Sequence, residues 1–134
     1  MRYLLDTNTC IVYLAGRSPT LARRLLAQSD ADIGVCAPVK AELYYGSARS
    51  RDPQTARARQ DFFLGRFTSL PFDDTAADVY GRIRADLAGR GTPIGPNDLL
   101  IAAIALTHAL VLVTHNTREF ARVTGLALED WESP

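Results

Sequence analysis

The chain has 134 residues with 15 basic and 15 acidic side chains, so its formal charge is zero, and 47% of it is apolar. That length and composition fit one folded domain over 1–134 with its own hydrophobic core and exclude a disordered or fibrous chain. Zero net charge excludes a grip on nucleic acid by bulk electrostatics alone, and no apolar run is long enough to span a bilayer.

Two details of composition matter later. Lys40 is the only lysine, and Arg49, Arg51, Arg57, Arg59 and Arg66 crowd one stretch. Arg presents a planar fork that suits phosphate oxygens, although a genome rich in Arg codons explains the overall count as well. Cys10 and Cys36 stand alone, with no Cys-x-x-Cys pattern. They read as two buried thiols of a cytoplasmic, reducing setting. Asp6 interrupts the first apolar run at once, so no signal peptide is expected.

Along the chain, short apolar runs alternate with amphipathic segments, the pattern of an α/β layered fold. Tyr3-Leu4-Leu5 is the first strand. Asp6 then caps a short helix through Ile11, Val12 and Leu14 that stops at Gly16. Ser18-Pro19 is a cap followed by proline at the first helical position, opening a helix with Leu21, Leu25 and Leu26 inward. Ile33 to Ala37 is the second strand, and Pro38 starts a helix to about Ala48. Asp52-Pro53 opens another that carries Phe62 and Phe63. Ser69 to Phe72 forms a weak third strand.

After Asp74 the spacing of Ala76, Val79, Tyr80, Ile83 and Leu87 predicts an amphipathic helix. Asp78 with Arg82, and Asp86 with Arg90, are four residues apart on its solvated face. Residues 89–95 form a loop. Leu99 to Leu106 is apolar all round and so predicts a buried helix. Val111-Leu112-Val113, with no alternation, predicts a central strand. Leu126 to Leu128 adds a short edge strand.

Four polar positions follow these runs: Asp6, Glu42, Asp98 and Asn116. Parallel strands bring their carboxyl ends to one edge, where ligands bind in open sheets. Asp6 and Asn116 lie there directly. Glu42, one turn into its helix on the face of Pro38, Tyr45 and Gly46, leans back toward the end of the second strand. Asp98 starts the buried helix at the same edge. Taken singly, Asp6 and Asp98 read as helix caps and Asn116 as a turn former. Together they read as a site.

Like charges about 4 Å apart cost roughly 4 kcal/mol at an effective dielectric of about 20, so gathered carboxylates need a cation. Oxygen ligands select a hard ion, Mg²⁺ or Mn²⁺, over Zn²⁺. Such an ion acidifies water and stabilises charge on a transferring phosphoryl group, which is the chemistry of phosphodiester hydrolysis.

Four ordered blocks carry a family resemblance. They are Leu4-Leu5-Asp6-Thr7-Asn8-Thr9, residues 38–46 (Pro-Val-Lys-Ala-Glu-Leu-Tyr-Tyr-Gly), residues 94–103 (Ile-Gly-Pro-Asn-Asp-Leu-Leu-Ile-Ala-Ala) and residues 112–120 (Leu-Val-Thr-His-Asn-Thr-Arg-Glu-Phe). Gly125-Leu126 and Glu129-Asp130-Trp131 follow. Over essentially its whole length the chain resembles the PIN-domain ribonucleases, specifically the VapC-type toxins of bacterial toxin–antitoxin pairs. The resemblance implies a three-layer α/β sandwich with a short, mostly parallel central sheet flanked by helices. It implies a Mg²⁺-dependent endoribonuclease acting on structured RNA, with tRNA the usual class.

Asp6, Glu42 and Asp98 match the family's acidic metal positions. Many relatives have a fourth acid where this chain has Asn116, whose amide adds no charge and weakens the case for a second ion; Glu119 is a candidate substitute. Thr7, Asn8 and Thr114 match positions that orient ligands or water. The family also implies an inhibiting cognate antitoxin, a homodimer within a larger assembly, and operator DNA bound only through the antitoxin.

His115 is a candidate for touching RNA or assisting a leaving group, set against a turn role. His108 reads as a partner of its helix's C-terminal dipole. Arg49, Arg51 and Arg57 are candidates for the RNA backbone, set against a solvated face. Tyr44, Tyr45 and Trp131 read as core or dimer contacts rather than stacking platforms. Two rival functions stay open. Asp6-Thr7-Asn8-Thr9 resembles the Asp-x-Asp-x-Thr nucleophile of haloacid-dehalogenase-like phosphatases, with the second Asp missing. A PIN fold whose activity has lapsed would be an RNA- or partner-binding module.

Overall fold

Tyr3, Leu4 and Leu5 offer no polar face, so a strand made from them must be covered on both sides. In a computed structural model describing residues 1–134, they form β1 (Tyr3–Leu5) and all three are buried. β1 is the middle of a five-stranded sheet in the order β3-β2-β1-β4-β5, where β2 is Ile33–Cys36, β3 Thr68–Leu70, β4 Val111–Val113 and β5 Leu128–Glu129. Every pairing is parallel, with Tyr3 opposite Ile33 on one side and Val111 on the other. Parallel pairing needs crossovers, and the helices supply them.

The helices are α1 (Thr7–Leu14), α2 (Pro19–Leu26), α3 (Ala37–Ala48), α4 (Pro53–Leu64), α5 (Asp74–Gly89), α6 (Pro96–Thr107) and α7 (Thr117–Phe120). Four caps work as their sequences require: Asp6 accepts from the Thr9 N–H, Ser18 from that of Leu21, Asp52 from that of Thr55, and Asp73 from that of Ala76. The apolar run of α6 is buried at Leu99 and from Ile101 to Ala105, against α5. Tyr13 of α1 stacks on Phe63 of α4 at 4.9 Å, and Trp131 closes edge-on against Tyr3 at 5.0 Å. Cys10 and Cys36 are free and buried, as expected.

The boundaries differ from the sequence reading in ways that have physical causes. Leu21 and Leu25 are buried, but Leu26, expected inward, is 65% exposed because it sits about 100° further round α2. Ala37 leaves β2 and starts α3. β3 begins one residue early and ends at Leu70, since Pro71 has no N–H to continue the ladder. β5 begins at Leu128 because the Leu126 N–H is already bonded to the Val123 carbonyl in a turn. A 3₁₀ turn over Asp30–Asp32 and helix α7 were not anticipated; both are too short to carry a hydrophobic period. The Asp78–Arg82 and Asp86–Arg90 pairs form at 2.9 and 2.7 Å on an exposed face, where such pairs contribute little.

Candidate metal-binding active site

The strand order reverses at β1, with β2 on one side and β4 on the other. The carboxyl ends of those strands make the crevice where an open parallel sheet takes its ligand. Asp6 is the residue after β1. It is buried, its backbone N–H donates to the Val113 carbonyl of β4, and its Oδ1 accepts from the Thr9 N–H at 2.8 Å. Burial pushes its carboxyl above the usual range, against hydrogen bonds from Thr114 and Thr9 that hold it down.

Glu42 reaches the same place from α3. Its Oε1 accepts from the Thr7 hydroxyl at 2.9 Å, so the first turn of α1 fixes the rotamer of an acid 35 residues away. Asp98 lies in the first turn of α6, but the N-cap is Gly95 and no side chain caps that helix. Its carboxylate is therefore not consumed by capping. Burial first, then the charges of Glu119, Asp6 and Glu42, push the Asp98 carboxyl up to about 6. Acids from three other parts of the chain thus bear on Asp98.

Glu119, on α7, is the nearest structural answer to the missing fourth acid. Its charge is the leading one acting on Asp98, and its Oε2 accepts from Asn116 Nδ2 at 2.7 Å. The Asn116 N–H in turn donates to the Thr114 hydroxyl at 3.0 Å. Asn116 is therefore at the expected edge, but its amide is engaged with Glu119. Thr7 and Thr114 do contact the acidic side chains, whereas Asn8 is exposed and bonds to none of them.

The arginines do not form a free basic stripe. Arg57 pairs with Asp61 at 3.0 Å and lies over the Tyr44 ring, and Arg66 pairs with Asp30. Arg51 is exposed in the turn between α3 and α4, while Arg49, at the end of α3, lies over the Tyr45 ring. Tyr45 itself is exposed, not core, whereas Trp131 is core as read.

Sequence reasoning missed Asp130 and Glu132. The His115 Nδ1 lies 3.0 Å from Asp130 Oδ2 and 3.9 Å from Glu132 Oε2, and both raise the His115 pKa, the hydrogen bond to Asp130 most. Asp130 also bears on Asp6, so this trio flanks the carboxylates. The parallel register of β5 on β4 carries Asp130 to the same edge, and a strand of two residues leaves no periodic signal from which to foresee it.

The chain belongs to the PIN-domain family, whose model matches residues 3–126. Within it the relatives are VapC ribonucleases. The tRNA(fMet)-specific endonuclease VapC of Shigella flexneri is 38% identical over 131 residues, spanning 98% of each chain. Among solved structures, DNA-bound VapBC from Salmonella typhimurium matches with a TM-score of 0.93 at 37% identity over 98% of each chain. VapBC2 from Rickettsia felis, bound to a promoter DNA fragment, matches at 0.91 and 34% over 98% of this chain and 99% of that one. The expected three-layer α/β fold and hydrolase class stand, and the phosphatase alternative falls.

Proposed function

We propose that this protein is a divalent-metal-dependent endoribonuclease toxin that cleaves tRNA and is silenced by a cognate antitoxin. The carrying observation is the Asp98 carboxyl, raised to about 6 by burial first and then by the charges of Glu119, Asp6 and Glu42, three acids from separate parts of the chain. Such a set is unfavourable as bare anions and fits a hard cation, since every donor is oxygen. Asp6, Glu42 and Asp98 would hold the ion, Mg²⁺ or Mn²⁺, with Glu119 as the fourth acid. When bound, the ion supplies Lewis acidity to a phosphodiester and its attacking water.

The chain's own residues do the rest. Thr7 holds Glu42, Thr114 and the Thr9 N–H hold Asp6, and Asn116 holds Glu119, so three of the four acids are oriented before any ligand arrives. The initiator tRNA is the first substrate to test, because the Shigella flexneri relative is named for it. A tRNA substrate fits a protein acting in the cytoplasm. DNA-bound VapBC complexes among the similar structures support an antitoxin partner and a complex that binds promoter DNA. A homodimer within that complex, with the DNA reached through the antitoxin, is what the family resemblance implies. A groove of about 680 Å³ between α1, α2 and α4, with Tyr13, Leu14, Phe63 and the 84% exposed Phe62 in its lining, offers an apolar partner segment a seat away from the acids.

The test is cleavage of purified tRNA by the full chain in Mg²⁺, with EDTA and Asp98→Asn as controls. Defined fragments that vanish in both controls are expected. RNA that is bound yet left intact in Mg²⁺ and Mn²⁺ would leave a binding module instead.

A further inference from the structure

Next to the carboxylates lies a groove of about 260 Å³ lined by Pro38, Ala41, Glu42 and Tyr45 of α3 and by Asn97 and Leu100 of α6. It shares Glu42 with the acidic site, and Asn97 is the neighbour of Asp98. We infer that this groove holds one unstacked nucleobase of the RNA beside the scissile phosphate, with Tyr45 as its stacking surface. The inference rests on the ribonuclease reading and adds a substrate contact to it.

Three observations carry it. Pro38, Ala41, Glu42 and Tyr45 recur at helical spacing, so one face of α3 presents an acid and an aromatic ring together. Tyr45 is 64% exposed, so its ring is accessible to a ligand. The Arg49 guanidinium lies over that ring, 4.6 Å from its centroid, and places a positive group where the acidic rim would otherwise repel a backbone phosphate. The size also fits: the groove is below the roughly 300–1,000 Å³ of drug-sized pockets and suits one planar base, not a duplex. Asn97 is exposed, and its amide can both donate to and accept from a base edge. Single-stranded RNA is commonly held in this way, by bases splayed onto aromatic and Arg surfaces.

The test uses the full chain, short oligoribonucleotides with 2-aminopurine at successive positions, and Ca²⁺ in place of Mg²⁺ so that binding is read without cleavage. Wild type should change the emission of one probe position. Tyr45→Ala should abolish that change and weaken binding about tenfold or more, while Tyr45→Phe keeps both, because the ring rather than the hydroxyl stacks. In Mg²⁺, Tyr45→Ala should raise KM with kcat held. Light scattering on each variant reports the competing occupant: a dimer that falls to monomer in Tyr45→Ala makes the ring a contact with a second copy and overturns the inference. Equal emission changes in wild type and Tyr45→Ala also overturn it, as does wild type altering no probe. Absence of cleavage by wild type in Mg²⁺ strikes the ribonuclease reading instead, and the emission arm still decides whether Tyr45 stacks.

Discussion

Asp98→Asn should stabilise the metal-free protein above neutral pH while removing its response to metal. The Asp98 carboxyl is raised from 3.8 to about 6, first by burial and then by the Glu119, Asp6 and Glu42 charges. A carboxyl raised by folding contributes stability that is fully present below 3.8 and is lost as pH climbs through about 6. About two units correspond to roughly 3 kcal/mol, and half-exposure reduces that to about 1–2 kcal/mol. Asparagine cannot ionise, so the variant escapes the loss. In EDTA, urea melts of the two proteins should coincide near pH 4 and diverge by about 1–2 kcal/mol by pH 8, a gain of roughly 4–8 °C in Tm for the variant. Added Mg²⁺ should raise the wild-type Tm and leave Asp98→Asn unmoved. A variant that is less stable than wild type at pH 8 in EDTA would refute the reasoning, because burial and the neighbouring charges would then not be opposing ionisation of Asp98.

Three other outcomes are expected. Glu119→Gln should lower the cleavage rate at least tenfold and raise the Mg²⁺ needed for half-maximal rate, and Asn116→Ala should do the same more weakly, since it loosens Glu119 rather than removing it; initial rates against Mg²⁺ decide this. His115 should titrate above its ordinary 6.5 in an NMR series, because Asp130 and Glu132 favour its charged form, and Asp130→Asn should bring it back down; its contribution to stability is present below 6.5 and lost as pH rises through the folded value. Ala109 ends α6 at φ +53°, with the Leu110 N–H on the Ala105 carbonyl, so Ala109→Gly should stabilise the fold by about 0.5–1 kcal/mol in urea melts, and a loss of stability would count against the strain.

The strands that position the site were legible because β1, β2 and β4 are unbroken apolar runs, which only a sheet covered on both faces accommodates. Their parallel order then put Asp6 and Asn116 at one edge without further information. The helical phase of α3 was legible too, since Glu42 and Tyr45 fall on one face by arithmetic. What arithmetic cannot give is whether that face is covered, and so the sequence leaves core and dimer contact both open for Tyr45; its exposure removes the first. Glu119 and Asn116 are three residues apart, and the choice between them depends on α7, a single turn formed by its surroundings. Asp130 depends on the register of a two-residue strand, which carries no periodic signal at all.

The plain structural readings of the site residues turn out to be conditions for the chemical one. Asp6 is an N-cap, as its position before α1 predicts, and the bond from Thr9 to one of its oxygens is what holds a buried carboxylate still at the end of β1. A flexible surface acid would lose rotamer entropy on taking a ligand and would present no fixed geometry. Asp98 shows the opposite case: Gly95 takes the cap position, so the acid in the first turn of α6 keeps its carboxylate free and bears the repulsion of its neighbours. Glu42 stands between these, held by one hydroxyl at 2.9 Å from a helix whose own cap is Asp6. Capping, hydrogen bonding and charge crowding are therefore one connected arrangement. Loosening α1 at Asp6 would disturb Thr7, and through it Glu42, before any cation was involved.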